Sequence, residues 1–79
     1  MIIKCAIVDD EPLAVELLAS YVKRTPFLKL CGKYSNATDA LHGISEQPVE
    51  LLFLDIQMPE LNGLELSKMI PENIRIVFT

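Results

Sequence analysis

The sequence predicts an α/β fold, a doubly wound parallel sheet with helices on both faces. Three observations predict it. Strand-like and helix-like segments alternate along the chain in the order β-α-β-α-β-α-β, which implies parallel strands joined by right-handed crossovers. The run Leu51–Leu54 is apolar without a period of two, as in strands covered on both faces. Acidic residues stand where the first and third apolar runs stop, at Asp9, Asp10 and Asp55. Open α/β sheets place their ligand crevice at the carboxyl ends of the strands.

The elements follow from the residues in order. Ile2 to Val8 reads as a strand, with Ile2, Ile3, Ala6, Ile7 and Val8 apolar around Lys4. Pro12 suits the first turn of a helix, where its missing N–H costs nothing. Leu13, Ala14, Leu17, Leu18, Tyr21 and Val22 recur at helical spacing and predict one apolar stripe. Lys23 and Arg24 complement the negative end of that helix, and Thr25-Pro26 stops it. Phe27 to Tyr34 alternates only partly, as expected of an edge strand. Asn36, with Asp39 three residues on, caps a second helix that buries Ala37, Ala40, Leu41 and Ile44 and ends at Gln47-Pro48. Leu51 to Asp55 is the third strand, and Pro59 and Gly63 turn the chain after it. Asn62 caps a third helix carrying Leu64, Leu66, Met69 and Ile70, which Pro71 and Asn73 break. Arg75 to Phe78 is a fourth strand of buried type. Its open edge invites self-association, and the segment is expected to be a fragment of a larger domain.

Composition excludes several classes. Seventy-nine residues allow one domain, and 51% hydrophobic against 23% charged residues argues against disorder. A net charge of −4 without a basic cluster argues against direct nucleic-acid binding by this segment. No apolar run reaches the ~18 residues that would suggest a membrane span. The start, Met1 to Cys5, lacks a signal-peptide pattern, so a cytoplasmic location is expected. Cys5 and Cys31 have neither metal spacing nor a CxxC pattern and are read as buried free thiols, and the single His42 as a surface residue. Three glycines and no glycine-rich loop after a strand count against nucleotide binding.

The first and third strands are commonly neighbours in a doubly wound sheet, which would bring three carboxylates into one crevice. For Asp55 taken alone, a strand-end bond to its own turn suffices. Together with Asp9 and Asp10 it would suffer like-charge repulsion unless a cation is present. Magnesium fits: it is hard, takes oxygen ligands, and uses one or two carboxylates with waters and substrate phosphate. A bound phosphoryl group would complete its shell, and Asp55 is then the candidate nucleophile, since a carboxylate can form an acyl phosphate.

Ile7-Val8-Asp9-Asp10-Glu11-Pro12 together with Leu54-Asp55-Ile56-Gln57-Met58-Pro59-Glu60-Leu61-Asn62-Gly63 resembles a response regulator receiver domain of two-component signalling. The wording Asp-Glu-Pro-Leu-Ala and Asp-Ile-Gln-Met-Pro is most similar to receivers joined to a LytTR-type DNA-binding domain. The resemblance covers the whole chain. It implies a flavodoxin-like sheet of strand order 2-1-3-4, truncated to (βα)3β before a fifth strand. Asp55 then resembles the phosphoacceptor, Asp10 a direct Mg2+ ligand, Asp9 an acid acting mostly through water, and the Gln57 backbone carbonyl the third protein ligand. Met58-Pro59 and Gly63 match the loop that shapes the site. The implied partner is a sensor histidine kinase, and the implied role is that of a phosphoacceptor, not an enzyme with its own substrate.

Two parts of the family pattern have no match. The family's Ser or Thr after the fourth strand aligns with the position following Thr79. The Lys at the end of a fifth strand is absent, and Lys68 in the third helix is no substitute. Slow phosphorylation and weak Mg2+ binding are expected of this segment. Two other readings remain. One is a magnesium-dependent phosphohydrolase of the haloacid dehalogenase type, which would want an Asp where Gln57 stands. The other is an interaction module in which the acids are idle.

Overall fold

The computed structural model describes residues 1–58 and 62–79. Four strands, β1 (Ile3–Val8), β2 (Leu28–Tyr34), β3 (Leu51–Leu54) and β4 (Arg75–Phe78), alternate with α1 (Pro12–Lys23), α2 (Ala37–Glu46) and α3 (Gly63–Ser67). All pairings are parallel and the order is β2-β1-β3-β4, as expected. The chain leaves β1 toward β2 and then jumps back across β1 to β3. The β1/β3 boundary is therefore the topological switch point, where the flanking helices diverge and leave a crevice.

The register sets the two faces of the sheet. Val8 stands opposite Leu54 and Ala6 opposite Leu52, on the face covered by α2 and α3. These four join Ala40, Ile44, Val49, Met58, Leu66, Ile70 and Ile74 in the main buried cluster. Cys5 and Ile7 alternate to the opposite face and are also fully buried. Between Cys5 and Ala6 the β1–β2 register shifts, and Cys31 is the extra residue of a bulge in the edge strand.

The helix caps agree with the residues that predict them. The Asn36 side chain accepts the Asp39 N–H at 2.8 Å and its amide donates back to the Asp39 carboxylate at 3.0 Å. The Asn62 side chain accepts the Glu65 N–H at 2.9 Å. At α1 the Glu11 side chain takes the capping role, accepting the Leu13 N–H at 3.1 Å, with Pro12 in the first turn.

Several expectations of burial need correction, among them Cys31, Ala37 and Leu41, which are half-buried. On α1, Leu13 (78% exposed), Leu17 and Tyr21 face solvent, while Ala19 and Val22 are buried and Ala14, Val15 and Leu18 half-buried. The helix lies over β1 and β2, so only the flank turned to those strands is covered. On β3, Leu52 and Leu54 are buried but Leu51 and Phe53 only partly, because α1 does not reach across their face. On β4, Val77 and Phe78 are exposed, which is what an edge position allows. The third helix stops at Ser67; Leu66 and Ile70 are buried, while Leu64 and Met69 stay exposed. The two thiols are free, Cys5 buried and Cys31 half-buried, and His42 is exposed 3.7 Å from Glu46. Pro59, Glu60 and Leu61, read as part of the turn after Asp55, lie outside the described residues.

Candidate functional site

Asp9 and Asp10 follow directly on β1, and Asp55 follows directly on β3. Two backbone bonds fix these strand ends. The Asp55 N–H donates to the Val8 carbonyl at 2.9 Å, and the Asp9 N–H donates to the Tyr34 carbonyl at 3.0 Å. The end of β1 is thus held from both sides, and its acids open into the crevice beside Asp55.

Each strand-end aspartate also closes a local turn. Asp9 Oδ1 accepts the Glu11 N–H at 2.9 Å, and Asp55 Oδ1 accepts the Gln57 N–H at 3.1 Å. Such a bond ties down one carboxylate oxygen and fixes the orientation of the other. The modest explanation of Asp55, a bond to its own turn, therefore holds. It does not compete with the other one, because carboxylate oxygens of Asp9, Asp10 and Asp55 all lie within 4.8 Å of one another. Asp9 is buried at 6% exposure, Asp10 exposed and Asp55 intermediate.

Among the described residues the ion pairs are Lys33–Glu16 at 3.5 Å and His42–Glu46, and neither reaches the three acids. Three like charges without a protein cation repel one another, and a bound cation would offset this. The donor set is all oxygen; neither cysteine nor His42 joins it, which disfavours zinc. An octahedral Mg2+ with bonds of about 2.1 Å spans about 4.2 Å between opposite ligands. Donors up to 4.8 Å apart fit such an ion after a small side-chain rotation, or with one acid reached through water. Gln57 stands on the same loop with its N–H on Asp55, which fixes the peptide next to its carbonyl.

Gly63 returns the chain to the site. Its N–H donates to the Ile56 carbonyl at 2.8 Å, and its Cα faces the main-chain carbonyl of Asp55 so closely that a Cβ would overlap that oxygen. The glycine is therefore required by close approach. At the other side of β3, the Thr79 N–H donates to the Leu54 carbonyl at 2.9 Å. Continuing the register of Leu54 with Phe78, Thr79 stands level with Asp55. Lys68 is exposed at the far end of α3 and is not in the acidic cluster.

The family described as the response regulator receiver domain matches residues 5–79. The chain belongs to that family. Among curated relatives, this receiver sequence is 44% identical over 78 residues to an uncharacterized response regulatory protein of Shewanella oneidensis, covering 96% of the chain and 33% of the relative. It is 42% identical over 72 residues to the transcriptional regulatory protein BtsR of Escherichia coli K12, covering 90% of the chain and 30% of the relative. The receiver thus spans about a third of the length of these relatives. Among solved structures, the response regulator domain of Thermotoga maritima CheB superposes with a TM-score of 0.90 at 26% identity, over 99% of this chain and 60% of that one. The isolated REC domain of RcsB from Salmonella enterica serovar Typhimurium superposes at 0.92 with 18% identity, over 99% and 61%, a likeness of fold. No helix among the described residues is long and apolar enough to cross a membrane.

Tyr34 is the site neighbour that sequence reasoning missed. Its main-chain carbonyl accepts the Asp9 N–H, and nothing in a tyrosine at the end of an edge strand announces that.

Proposed function

We propose that this receiver segment takes a phosphoryl group from a sensor histidine kinase onto Asp55, with Mg2+ held by Asp9, Asp10, Asp55 and the Gln57 carbonyl. The observation that carries the reading is the convergence of three carboxylates from β1 and β3 within 4.8 Å. Asp55 Oδ1 is engaged by the Gln57 N–H, which leaves the second oxygen as the nucleophile. That oxygen attacks phosphorus in line with the departing histidine nitrogen. The P–N bond breaks, the imidazole leaves with a proton from solvent, and an aspartyl phosphate remains. Bound Mg2+ would supply charge neutralisation of the phosphoryl oxygens. Asp9, held by its own turn and by β2, would face the cation through water.

The new group adds about −1.5 to −2 of charge at the switch point, enough to bias a bistable surface. The relative in Escherichia coli is named a transcriptional regulatory protein. With the likeness of Asp-Glu-Pro-Leu-Ala and Asp-Ile-Gln-Met-Pro to LytTR-type receivers, it supports a DNA-binding output of that type, in a cytoplasmic protein. The structure of the RcsB REC domain in the presence of the phosphomimetic BeF3− supports phosphoryl chemistry in the family. Residues 1–79 are read as the N-terminal part of a receiver, since they cover 60% of the Thermotoga chain. Self-association through the edge of β4 belongs to the same reading.

The test is labelling with acetyl phosphate, with and without Mg2+, read by intact mass and peptide mapping. One phosphoryl group on Asp55, absent without Mg2+ and absent in Asp55→Asn, is expected. Label elsewhere, or undiminished in Asp55→Asn, refutes the assignment. Turnover of a phosphomonoester in the steady state would favour a phosphohydrolase instead, against which Gln57 already counts.

A further inference from the structure

Tyr34 ends β2 in register with Val8, and its carbonyl is the acceptor for the Asp9 N–H at 3.0 Å. Its ring folds back over Gly32 on its own strand and against Gly43 on α2. A Cβ on Gly32 would lie 2.7 Å from the ring's Cζ and 2.9 Å from Cε2, and a Cβ on Gly43 would overlap the ring outright. Ordinary contacts there require about 3.5 Å or more. The half-buried ring also packs against the buried cluster under α2. It therefore occupies a slot that exists only because two residues, one on the sheet and one on the helix, lack side chains.

The slot has a consequence at the acids. Asp9 is the buried member of the cluster, and its main chain is tied to Tyr34 on one side. On the other side Val8, its neighbour, is tied to Asp55. A ring seated between sheet and helix fixes where β2 ends, and with it the height at which Asp9 enters the crevice. We propose that Tyr34, seated in the Gly32–Gly43 slot, is a positioning residue for the cation site, acting through its carbonyl on Asp9. The inference rests on the reading of Asp9, Asp10 and Asp55 as that site.

The probe is Mg2+ alone, titrated while the amide resonances of Asp9, Asp10 and Asp55 are followed by NMR. Folding stability is measured in parallel by urea. Tyr34→Phe keeps the ring and should bind within about twofold of the parent. Tyr34→Ala and Gly43→Ala, which empty or block the slot, should weaken Mg2+ binding about tenfold, the lower end for loss of an outer-shell partner. The Asp9 amide should shift already in the metal-free protein. Ile74→Val, a core change at the opposite end of the sheet, should lower stability and leave Mg2+ affinity unchanged. If Tyr34→Ala does not fold, Tyr34→Leu carries the same comparison. Unchanged affinity in the folded slot variants would overturn the positioning role while leaving the cation site standing. A parent protein whose three aspartate amides do not respond saturably to Mg2+ would remove the site itself, and this inference with it.

Discussion

Gly63 packs against the main-chain carbonyl of Asp55, at a distance that leaves no room for a side chain. The contact joins the start of α3 to the end of β3 and shapes the loop on which Gln57 sits. Gly63→Ala would push a methyl group into that carbonyl and against Ile56 Cα, 2.8 Å away. The expected cost is about 1–3 kcal/mol, the range for overpacking a closed contact. Urea denaturation measures it. A variant as stable as the parent, with unchanged Asp55 and Gln57 amide shifts, would show that the loop adjusts without strain.

A cation held by the three acids would make the protein's stability depend on its concentration. At a Mg2+ concentration ten times its dissociation constant, the midpoint should correspond to about 1.4 kcal/mol of added stability. Asp55→Asn keeps an oxygen for the Gln57 N–H but removes one of three like charges, worth about 1 kcal/mol per pair at 4 Å in water. The variant should therefore be more stable than the parent without metal and gain less from Mg2+. Thermal melts with EDTA and with Mg2+ decide the point. Equal gains in both proteins would place the ion elsewhere.

Cys5 and Cys31 should differ in reactivity. Burial pushes the Cys5 thiol up from its ordinary value of 9.0, with the neighbouring Cys31 adding to it. Cys5 is fully buried and Cys31 half-buried. Alkylation at pH 8 under native conditions should label Cys31 well before Cys5, as mass spectrometry of the peptides can show. Linkage has a definite sign. The thiol ionises more readily in the unfolded chain, so stability is intact below pH 9.0 and falls as pH rises above it. Cys5→Ala should flatten that decline; an unchanged slope would assign it to other groups.

Two further substitutions separate local from tertiary contributions. Asn36→Ala removes the cap of α2 and its reciprocal bond with Asp39, at about 1 kcal/mol. Leu66→Ala empties a fully buried site between α3 and the sheet, at about 2–5 kcal/mol. In a domain of this size the second should abolish cooperative unfolding at 37 °C by circular dichroism while the first only lowers the midpoint.

The sequence by itself determined the element order, the caps at Asn36 and Asn62, the strand ends at Asp9 and Asp55, and the glycine that the loop after β3 needs. These are set by short-range chemistry: side-chain oxygens facing orphan N–H groups, proline and glycine at turns, apolar runs of strand length. Strand order was legible through the resemblance to receiver domains, since crossovers of one hand leave several orders open. Which flank of α1 is covered was not. Leu13, Leu17 and Tyr21 are as apolar as the residues that are buried, and only the placement of the helix over β1 and β2 separates the two sets. Nor was the seat of Tyr34 legible, since it depends on Gly32 of β2 and Gly43 of α2 facing each other once the helix packs on the sheet. Periodicity names the residues able to lie inside; packing of whole elements decides which of them do.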